Sequence, residues 1–258
     1  MAIKDVEVEQ EILSKFKHFA VMEKKEKEDL LSYNPNAITH WVCYNRPELM
    51  PKSLEKKYDF VFFARITQIK GIEHLIEAVS KLKNDYSDIS LLVLGPCSKG
   101  YQEYLLQLCN DKGVSNNVVF SGHIQNREDL FRKALEAKIY VLPTLIEGLV
   151  TSAVEAMLLG LPVITYTTGG MSFLNKDGEN VLMAPTGDVE KLVSYVKRLL
   201  DDPVYAQELA IRGQNFAKRV FSEEANIETN IRQYRAIIAN YKQGIPIPDE
   251  LIFDGIYK

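Results

Sequence analysis

The chain has 258 residues, 46% of them hydrophobic, and its net charge is −4 from 31 basic and 35 acidic residues. That composition is typical of one large globular domain or two small ones, and the lack of a basic excess argues against a nucleic-acid partner. No apolar run of about 18 residues predicts a membrane-spanning helix, and the N-terminus lacks the apolar stretch of a signal peptide.

The first 57 residues differ in character from the rest of the chain. Apolar runs at His18–Met22 and Ala37–Cys43 predict two strands, and a charge run between them predicts the solvated face of a helix. Two prolines and several charges after Arg46 indicate a linker. We therefore predict three parts: a remnant of another domain in residues 1–45, a linker in residues 46–57, and the main domain in residues 58–258.

From Tyr58 onward, short apolar runs alternate with amphipathic ones. Asp59–Phe63 predicts a buried strand, and residues 72–82 predict a helix, because their apolar side chains recur at helical spacing. His74 falls off that apolar face, so it is predicted to be a solvated residue. Further strands are predicted at Ser90–Leu94, Asn117–Phe120, Ala137–Pro143, Val163–Tyr166 and Val181–Met183, and further helices at Tyr101–Cys109, Arg127–Ala134, Val189–Leu200, Pro203–Val220 and Ser222–Tyr241. This alternation indicates parallel βαβ units, and hence an α/β fold with a doubly wound parallel sheet.

Two glutamates, Glu147 and Glu155, lie between the predicted strands Ala137–Pro143 and Val163–Tyr166. Glu147 and Gly148 fall in a strand-to-helix loop, and Glu155 lies about two helical turns further on. Loops at that end of a βα unit commonly bind ligands, and a helix N-terminus favours an anionic group such as a phosphate. Because Glu155 lies in a mostly apolar run, where a bare charge is costly, we expect it to bind a ligand such as a ribose diol or, alternatively, a structural lysine or arginine.

Two cations lie in the loop after the first strand of the main domain. Arg65 can grip a phosphate with its planar fork, and Lys70, at a helix start, can do so as a point charge. Alternatively, both are ordinary solvated surface cations. Further on, Gly169 and Gly170 permit a tight turn near a ligand, although an ordinary loop is equally compatible with them.

No metal site is predicted. The cysteines are odd in number and widely spaced, and the histidines show no paired metal spacing. Cysteines without a disulfide framework favour a reducing compartment, so we expect a cytoplasmic protein.

Taken together and in this order, these residues make the chain resemble the retaining glycosyltransferases of family 4, which have the GT-B fold. The similar stretch runs from about Tyr58 to Val220. Its motifs are Ala64-Arg65 through Lys70-Gly71, Leu94-Gly95, Phe120-Ser121-Gly122, the spacing of Glu147 and Glu155, Gly160-Leu161-Pro162-Val163, and Gly169-Gly170. The resemblance implies a Rossmann-like sheet that forms the C-terminal half of a GT-B architecture.

The resemblance also implies a role for each candidate residue. Arg65 and Lys70 would hold the donor diphosphate. Glu147 would be the catalytic residue that hydrogen-bonds the transferred sugar, and Glu155 would bind the nucleotide ribose. Backbone amides at Gly148, Leu149 and Val150 would contact the donor, and Ile124 would lie beside the base. Some positions depart from the family pattern. Ala64 and Val150 stand where many members have Gly, and Phe173 stands where an acid often follows the paired glycines, so the loop of Phe173 is expected to contribute less.

GT-B enzymes have two Rossmann-like domains with the active site in the cleft between them, and only residues 1–45 are left here for the first. A domain of about 150 residues, which carries the acceptor site in the family, is therefore expected to be missing. We expect a C-terminal fragment of a longer enzyme or one half of a split one, incomplete and inactive alone.

In function, the resemblance implies a donor domain that binds a nucleotide-diphosphate sugar, with a UDP-sugar expected. It would serve the retaining transfer of a hexose to a sugar or lipid-linked acceptor in polysaccharide biosynthesis, with no cofactor and no metal. The acceptor glycan or glycolipid, and any peripheral membrane contact, would involve the missing domain. Two alternatives stay open: a non-catalytic nucleotide-sugar-binding subunit of a split glycosyltransferase, and a sugar-nucleotide epimerase of related fold.

Overall fold

The computed structural model describes residues 3–21, 24–41, 55–146, 151–221 and 223–252. Its elements in chain order are α1 Ile3–Ser14, β1 His18–Val21, α2 Lys24–Tyr33, β2 Ile38–Trp41, β3 Tyr58–Phe63, α3 Ile72–Leu82, β4 Leu91–Leu94, α4 Lys99–Asp111, β5 Val118–Phe120, α5 Arg127–Ala134, β6 Ala137–Leu142, α6 Thr151–Leu158, β7 Val163–Thr167, β8 Leu182–Pro185, α7 Val189–Asp201, α8 Pro203–Phe221 and α9 Glu223–Gln243. Short 3-10 helices lie at Gln68–Lys70, Gly169–Asn175 and Asp249–Leu251. The predicted strands and helices are confirmed with small shifts at their ends, whereas α1 and the 3-10 helices at Gly169–Asn175 and Asp249–Leu251 are additional.

Two compact units divide the chain: Met1–Pro47 with Val220–Lys258, and Glu48–Arg219. The residues from Val220 onward therefore group with the N-terminal residues. In this smaller unit, β1 and β2 pair in parallel and α1 packs against α2. The predicted linker lies mostly outside the described residues, and the predicted domain boundaries stay predictions. In the described ranges, no helix combines the length and apolar character needed to cross a bilayer.

A parallel sheet forms the centre of the larger unit, with the strand order β5-β4-β3-β6-β7-β8. Strand β3 is the first strand of this sheet in chain order. Strands β4 and β5 then lie on one side of it, and β6, β7 and β8 lie on the other. The predicted α/β fold with a doubly wound parallel sheet is thus confirmed. The strand order reverses between β3 and β6, and ligands of open α/β sheets bind beyond the carboxyl ends of the strands at such a reversal.

Strand β4 and the last four residues of β3 are continuously apolar, as strands buried on both faces of a parallel sheet usually are. All residues from Phe60 to Phe63 and from Leu91 to Leu94 are buried. Helix α3 buries the predicted apolar stripe: Ile72, Leu75, Ile76, Val79 and Leu82. This close-packed centre fixes the points at which the loops after β3 and β6 begin.

Candidate functional site

The loop after β3 carries two cations in different environments. Arg65 is exposed, and among the described residues its guanidinium makes no ion pair or hydrogen bond. Lys70 is only 7% exposed and ends a 3-10 turn in which its backbone N–H donates to the Thr67 carbonyl oxygen at 3.0 Å. The prediction that both residues lie in the loop after this strand, with Lys70 near a helix start, is confirmed, whereas the alternative of two solvated surface cations is wrong for Lys70.

Gly71 allows the Lys70 turn to approach the loop after β6. Its φ angle is +73°, and an added Cβ would lie 2.0 Å from the Pro143 carbonyl oxygen, which no real side chain tolerates. The Leu145 N–H donates to the Ile69 carbonyl oxygen at 2.8 Å, and the buried Thr144 hydroxyl lies 3.2 Å from the same oxygen. The loops after β3 and β6 are therefore bound to each other at the reversal of strand order.

The loops after β4 and β5 join this arrangement on the other side. Gly95 has a φ of +145°, and an added Cβ would lie 1.8 Å from the Ala64 carbonyl oxygen. The backbone of the loop after β4 therefore packs directly against the backbone of the loop after β3. The Gly95 N–H donates to the Gly122 carbonyl oxygen at 2.9 Å, and the Ile66 N–H donates to the Pro96 carbonyl oxygen at 2.9 Å. A cavity of about 220 Å³ opens among these loops, lined by Ile66, Gly95, Pro96, Cys97, Gln102, Phe120, Gly122 and His123.

Burial raises the pKa of the Cys97 thiol at the edge of this cavity. The thiol therefore stays protonated near neutral pH, and it lacks the thiolate character that a nucleophilic cysteine needs. The cavity is thus suited to non-covalent binding. Ile124, predicted to lie near a base, is half-buried and directly follows the lining residue His123 in the sequence.

Glu155 lies in α6 and forms an ion pair with Arg127, the first residue of α5. The carboxylate side chain is 12% exposed and the guanidinium side chain is 48% exposed. The expectation that Glu155 has a partner is confirmed, and one of its partners in this structure is an arginine, an alternative that the sequence left open. Whether Glu155 also binds a ribose stays a prediction.

The remaining residues of the glutamate motif lie outside the described part of the chain. These are Glu147, Gly148, Leu149 and Val150. The structure describes their neighbours: Ile146, the last described residue before them, is 70% exposed, and Thr151 begins α6. The predicted roles of the four residues therefore stay predictions.

Residues 45–216 match the sequence model of the family Glycosyl transferases group 1. The chain belongs to this family. Among curated relatives, the 2-deoxystreptamine glucosyltransferase of Streptomyces kanamyceticus is 37% identical over 145 residues, which are 55% of this chain and 36% of the relative. The MMP alpha-(1->4)-mannosyltransferase of Mycolicibacterium hassiacum is 29% identical over 178 residues, or 66% of this chain and 41% of the relative. The chain thus spans less than half the length of these two relatives.

Solved glycosyltransferase structures share the fold. Sucrose-phosphate synthase from Thermosynechococcus elongatus matches 92% of this chain and 62% of its own length, with a TM-score of 0.81 and 24% identity. Anabaena HepE in complex with UDP matches 91% of this chain and 68% of its own length, with a TM-score of 0.77 and 17% identity. At these identities the likeness shows the fold, which is the Rossmann-like fold of GT-B glycosyltransferases.

One side chain, that of His74, differs from what the sequence predicted. His74 is half-buried, and its Nδ1 lies 2.9 Å from the Tyr166 hydroxyl, so the prediction of a solvated residue is wrong. Burial raises the pKa of Tyr166, which therefore remains a neutral hydrogen-bonding group. Phe173 is 4% exposed and packs edge-on against Phe216, so it belongs to the core.

Within the described residues, no group of three or more His, Cys, Asp or Glu side chains is arranged to hold a metal ion. The cations of the candidate segments described above are Arg65, Lys70 and Arg127. Sequence reasoning missed Arg127 as a site residue, because it precedes the predicted motif by many residues and only folding brings it to Glu155.

Proposed function

We propose that this chain is the donor-binding part of a retaining glycosyltransferase of family 4, and that it binds a nucleotide-diphosphate sugar at the carboxyl ends of β3 and β6. The observation that carries this proposal is the Lys70 turn, fixed on the loop after β6 by the Leu145–Ile69 hydrogen bond and by the close approach of Gly71 to Pro143. It sets a buried cation at the reversal of strand order, where such sheets bind ligands.

The two cations of the loop after β3 would hold the diphosphate. Arg65 would bind phosphate oxygens with its fork, and Lys70 would neutralise the charge that develops on the leaving group. The buried Lys70 is held in place before the reaction and needs little reorganisation in the transition state, and the two cations would together replace a metal. A uridine nucleotide is the first choice, because Anabaena HepE, which shares the fold, was solved with UDP and with UDP-glucose.

The other assigned residues would bind the rest of the donor. Glu147 would hydrogen-bond the transferred hexose, and Glu155 would accept hydrogen bonds from the ribose hydroxyls. Ile124 would lie beside the base, and the amides at Gly148 to Val150 would face the diphosphate and sugar. In the transfer, the bond from the anomeric carbon to the diphosphate breaks, the bond to the acceptor oxygen forms on the same face, and the leaving diphosphate takes the acceptor proton.

The acceptor would bind outside this chain. The curated relatives are longer, and this chain covers 36% and 41% of the two named above. We propose that a further domain supplies the acceptor site, for a glycan or glycolipid, and any contact with a membrane surface.

Calorimetric titration of the chain with UDP and with GDP tests the donor site. We expect one nucleotide to bind, and Arg65→Ala to weaken its binding by about 10-fold to 100-fold, because a hydrogen bond to a charged group contributes about 1.5–3 kcal/mol. Arg132→Ala is the matched control, since Arg132 is an exposed arginine that pairs with Glu128 within α5.

Lys70→Met should weaken nucleotide binding as strongly as Arg65→Ala does. Methionine removes the charge of Lys70 but keeps most of the apolar part of its buried side chain. Failure of the wild-type chain to bind either nucleotide would count against the assignment, as would equal binding by wild type, Arg65→Ala and Lys70→Met.

A second candidate function is a binding subunit without activity of its own, completed by a partner chain. Mass measurement and an activity assay of the pure chain separate the two candidates, because turnover by the pure monomer would contradict the binding-subunit function.

A further inference from the structure

We propose that Arg127 is a positioning residue that holds the Glu155 carboxylate for the nucleotide ribose, and so sets the preference of the site for a ribonucleotide. This inference rests on the proposed function, in which Glu155 binds the ribose. It adds to the site a residue from α5, a helix that lies outside the motifs by which the chain was assigned.

The ion pair joins two helices that are separate in sequence. Arg127 Nη2 donates to Glu155 Oε1, which connects the first turn of α5 with the middle of α6. Glu155 is mostly buried and Arg127 is about half exposed. The carboxylate is therefore the group whose direction is set, and the guanidinium approaches it from the solvent side.

Arg127 is itself held in place by α5. The preceding residue, Asn126, caps the helix by accepting a hydrogen bond from the Asp129 N–H at 3.1 Å. The Arg127 guanidinium carbon lies 5.5 Å from the centre of the Phe131 ring, and Phe131 is buried. A guanidinium over an aromatic face loses part of its freedom before it meets the carboxylate, so the ion pair costs less entropy to form.

A chain of packed side chains connects Phe131 to α6 through the central sheet. The Phe63 ring at the end of β3 lies 6.2 Å from the Phe131 ring and 4.5 Å from the Tyr140 ring. The Tyr140 hydroxyl lies 2.8 Å from Ser152 Oγ in the first turn of α6. The Arg127–Glu155 ion pair is a second, direct connection between the same two helices. Helices α5 and α6 are therefore connected both through the side chains of the sheet and by an ion pair on the solvent side.

The place of Arg127 in the chain assigns it to the nucleoside end of the site. It directly follows the loop after β5, which contains Ile124 and borders the cavity at Gly122 and His123. An ionised carboxylate only accepts hydrogen bonds, and a ribose offers two hydroxyl donors. A glutamate side chain held in one direction can accept both without the loss of rotamer freedom that a mobile one would suffer.

The test compares UDP with 2′,3′-dideoxy-UDP by calorimetry, or the corresponding guanosine pair if the wild-type chain binds GDP. We expect the wild type to bind the ribonucleotide at least about tenfold more tightly than the dideoxy compound, a difference of about 1.4 kcal/mol. Arg127→Met should weaken ribonucleotide binding about fivefold to tenfold and leave dideoxy binding nearly unchanged. Arg127→Lys should restore part of the preference, because it restores the charge.

Arg132→Met is the matched control, an arginine of the same helix whose partner is Glu128. It should leave both affinities and their ratio unchanged. Thermal unfolding of each variant shows that it folds, and Arg127→Gln replaces Arg127→Met if the methionine variant does not.

Several outcomes would overturn the inference. The inference would be wrong if Arg127→Met kept the wild-type ratio of ribonucleotide to dideoxy affinity. It would also be wrong if Arg127→Met lost both affinities equally, because a merely structural role would cause an equal loss. A wild type that binds both compounds equally would remove the ribose role of Glu155 and leave the diphosphate site standing. A wild type that binds neither would instead contradict the proposed function.

Discussion

Gly71 is the residue on which the contact between the two central loops depends. Its left-handed backbone and the 2.0 Å separation between an ideal Cβ and the Pro143 carbonyl oxygen both require glycine. The sequence shows that a glycine follows Lys70, but the reason for it, a carbonyl group in the loop after β6 more than 70 residues away, becomes visible only in the folded chain.

Gly71→Ala should therefore weaken nucleotide binding more than the strain of a left-handed alanine alone would. We expect a loss of about 1–2 kcal/mol from the left-handed conformation, and a further loss as the Pro143 backbone is pushed away. Urea unfolding measures the stability, and nucleotide titration measures the site.

Gly113→Ala is the matched control, because Gly113 has a φ of +68° and open space around an added Cβ. Equal losses of stability in the two variants would show that the contact with Pro143 is unimportant.

Arg127 and Phe173 show what residue types leave undecided. The sequence predicts that Glu155 needs a partner, because it lies in an apolar run, yet an arginine and a ribose satisfy that need equally well. Phe173 stands at a position often acidic in the family, and only its packing on Phe216 shows that it serves the core.

Secondary-structure elements were predicted well wherever one face of the element is buried. Helix α3 shows the reason, since its buried side chains recur at helical spacing, and β4 is apolar throughout. Helix α1 lacks this signal, because Val8 and Ile12 are exposed in it. The 3-10 helix at Gly169–Asn175 is too short to show a period, and it begins with two glycines, which the sequence indicates only as a turn.

The pair of strands β1 and β2 contains a pH-sensitive contact. His18 Nδ1 lies 3.2 Å from His40 Nε2, and His40 Nδ1 lies 3.1 Å from the Leu251 carbonyl oxygen. Desolvation lowers the pKa of both imidazoles, and the charges of His40 and Lys17 lower the pKa of His18 further. Both rings are therefore neutral in the folded chain at a pH where they are already protonated in the unfolded chain.

We expect the chain to be less stable at about pH 5 than at about pH 7.5. The unfolded histidines titrate near pH 6.5, so the stabilisation is present in full above that pH and is lost as the pH falls through the lower folded values. Thermal unfolding at the two pH values checks this, and His40→Asn should reduce the difference.

His123→Asn, in an exposed loop, should leave the pH difference as it is in the wild type. The same pH difference in His40→Asn and in the wild type would mean that other groups cause it.

At the scale of the whole molecule, α9 buries polar side chains and exposes apolar ones, the reverse of the usual pattern. Gln233 and Asn240 are 6% and 9% exposed, whereas several large apolar side chains of the helix are exposed: Ile227, Ile231, Tyr234, Ile238 and Tyr241. The buried amides have partners, since Asn240 donates to the Ile245 carbonyl oxygen at 2.8 Å and accepts from the Lys17 ammonium at 2.8 Å. The outer face of α9 is thus an apolar surface in the described chain.

Replacing Ile231 and Ile238 with lysine should leave the stability of the isolated chain nearly unchanged, because surface substitutions usually change it by about 0.5 kcal/mol or less. The double variant should bind less anilinonaphthalene sulfonate, a dye that reports exposed apolar surface, and dye fluorescence with thermal unfolding measures both effects.

Ile237→Lys is the control, since Ile237 is half-buried on the same helix and should lose stability when charged. A large loss of stability in the double variant would show that the exposed face of α9 is packed in solution.

The sequence by itself determined the α/β class, the positions of the elements and the residue types of the site, because these depend on local periodicity and on chemistry that travels with each side chain. The folded structure decided the strand order, the burial of Lys70 and the pairing of Arg127 with Glu155. These features depend on contacts between residues far apart in the chain. No local pattern of residues specifies such contacts, since they form only when the parallel sheet brings the ends of its strands together.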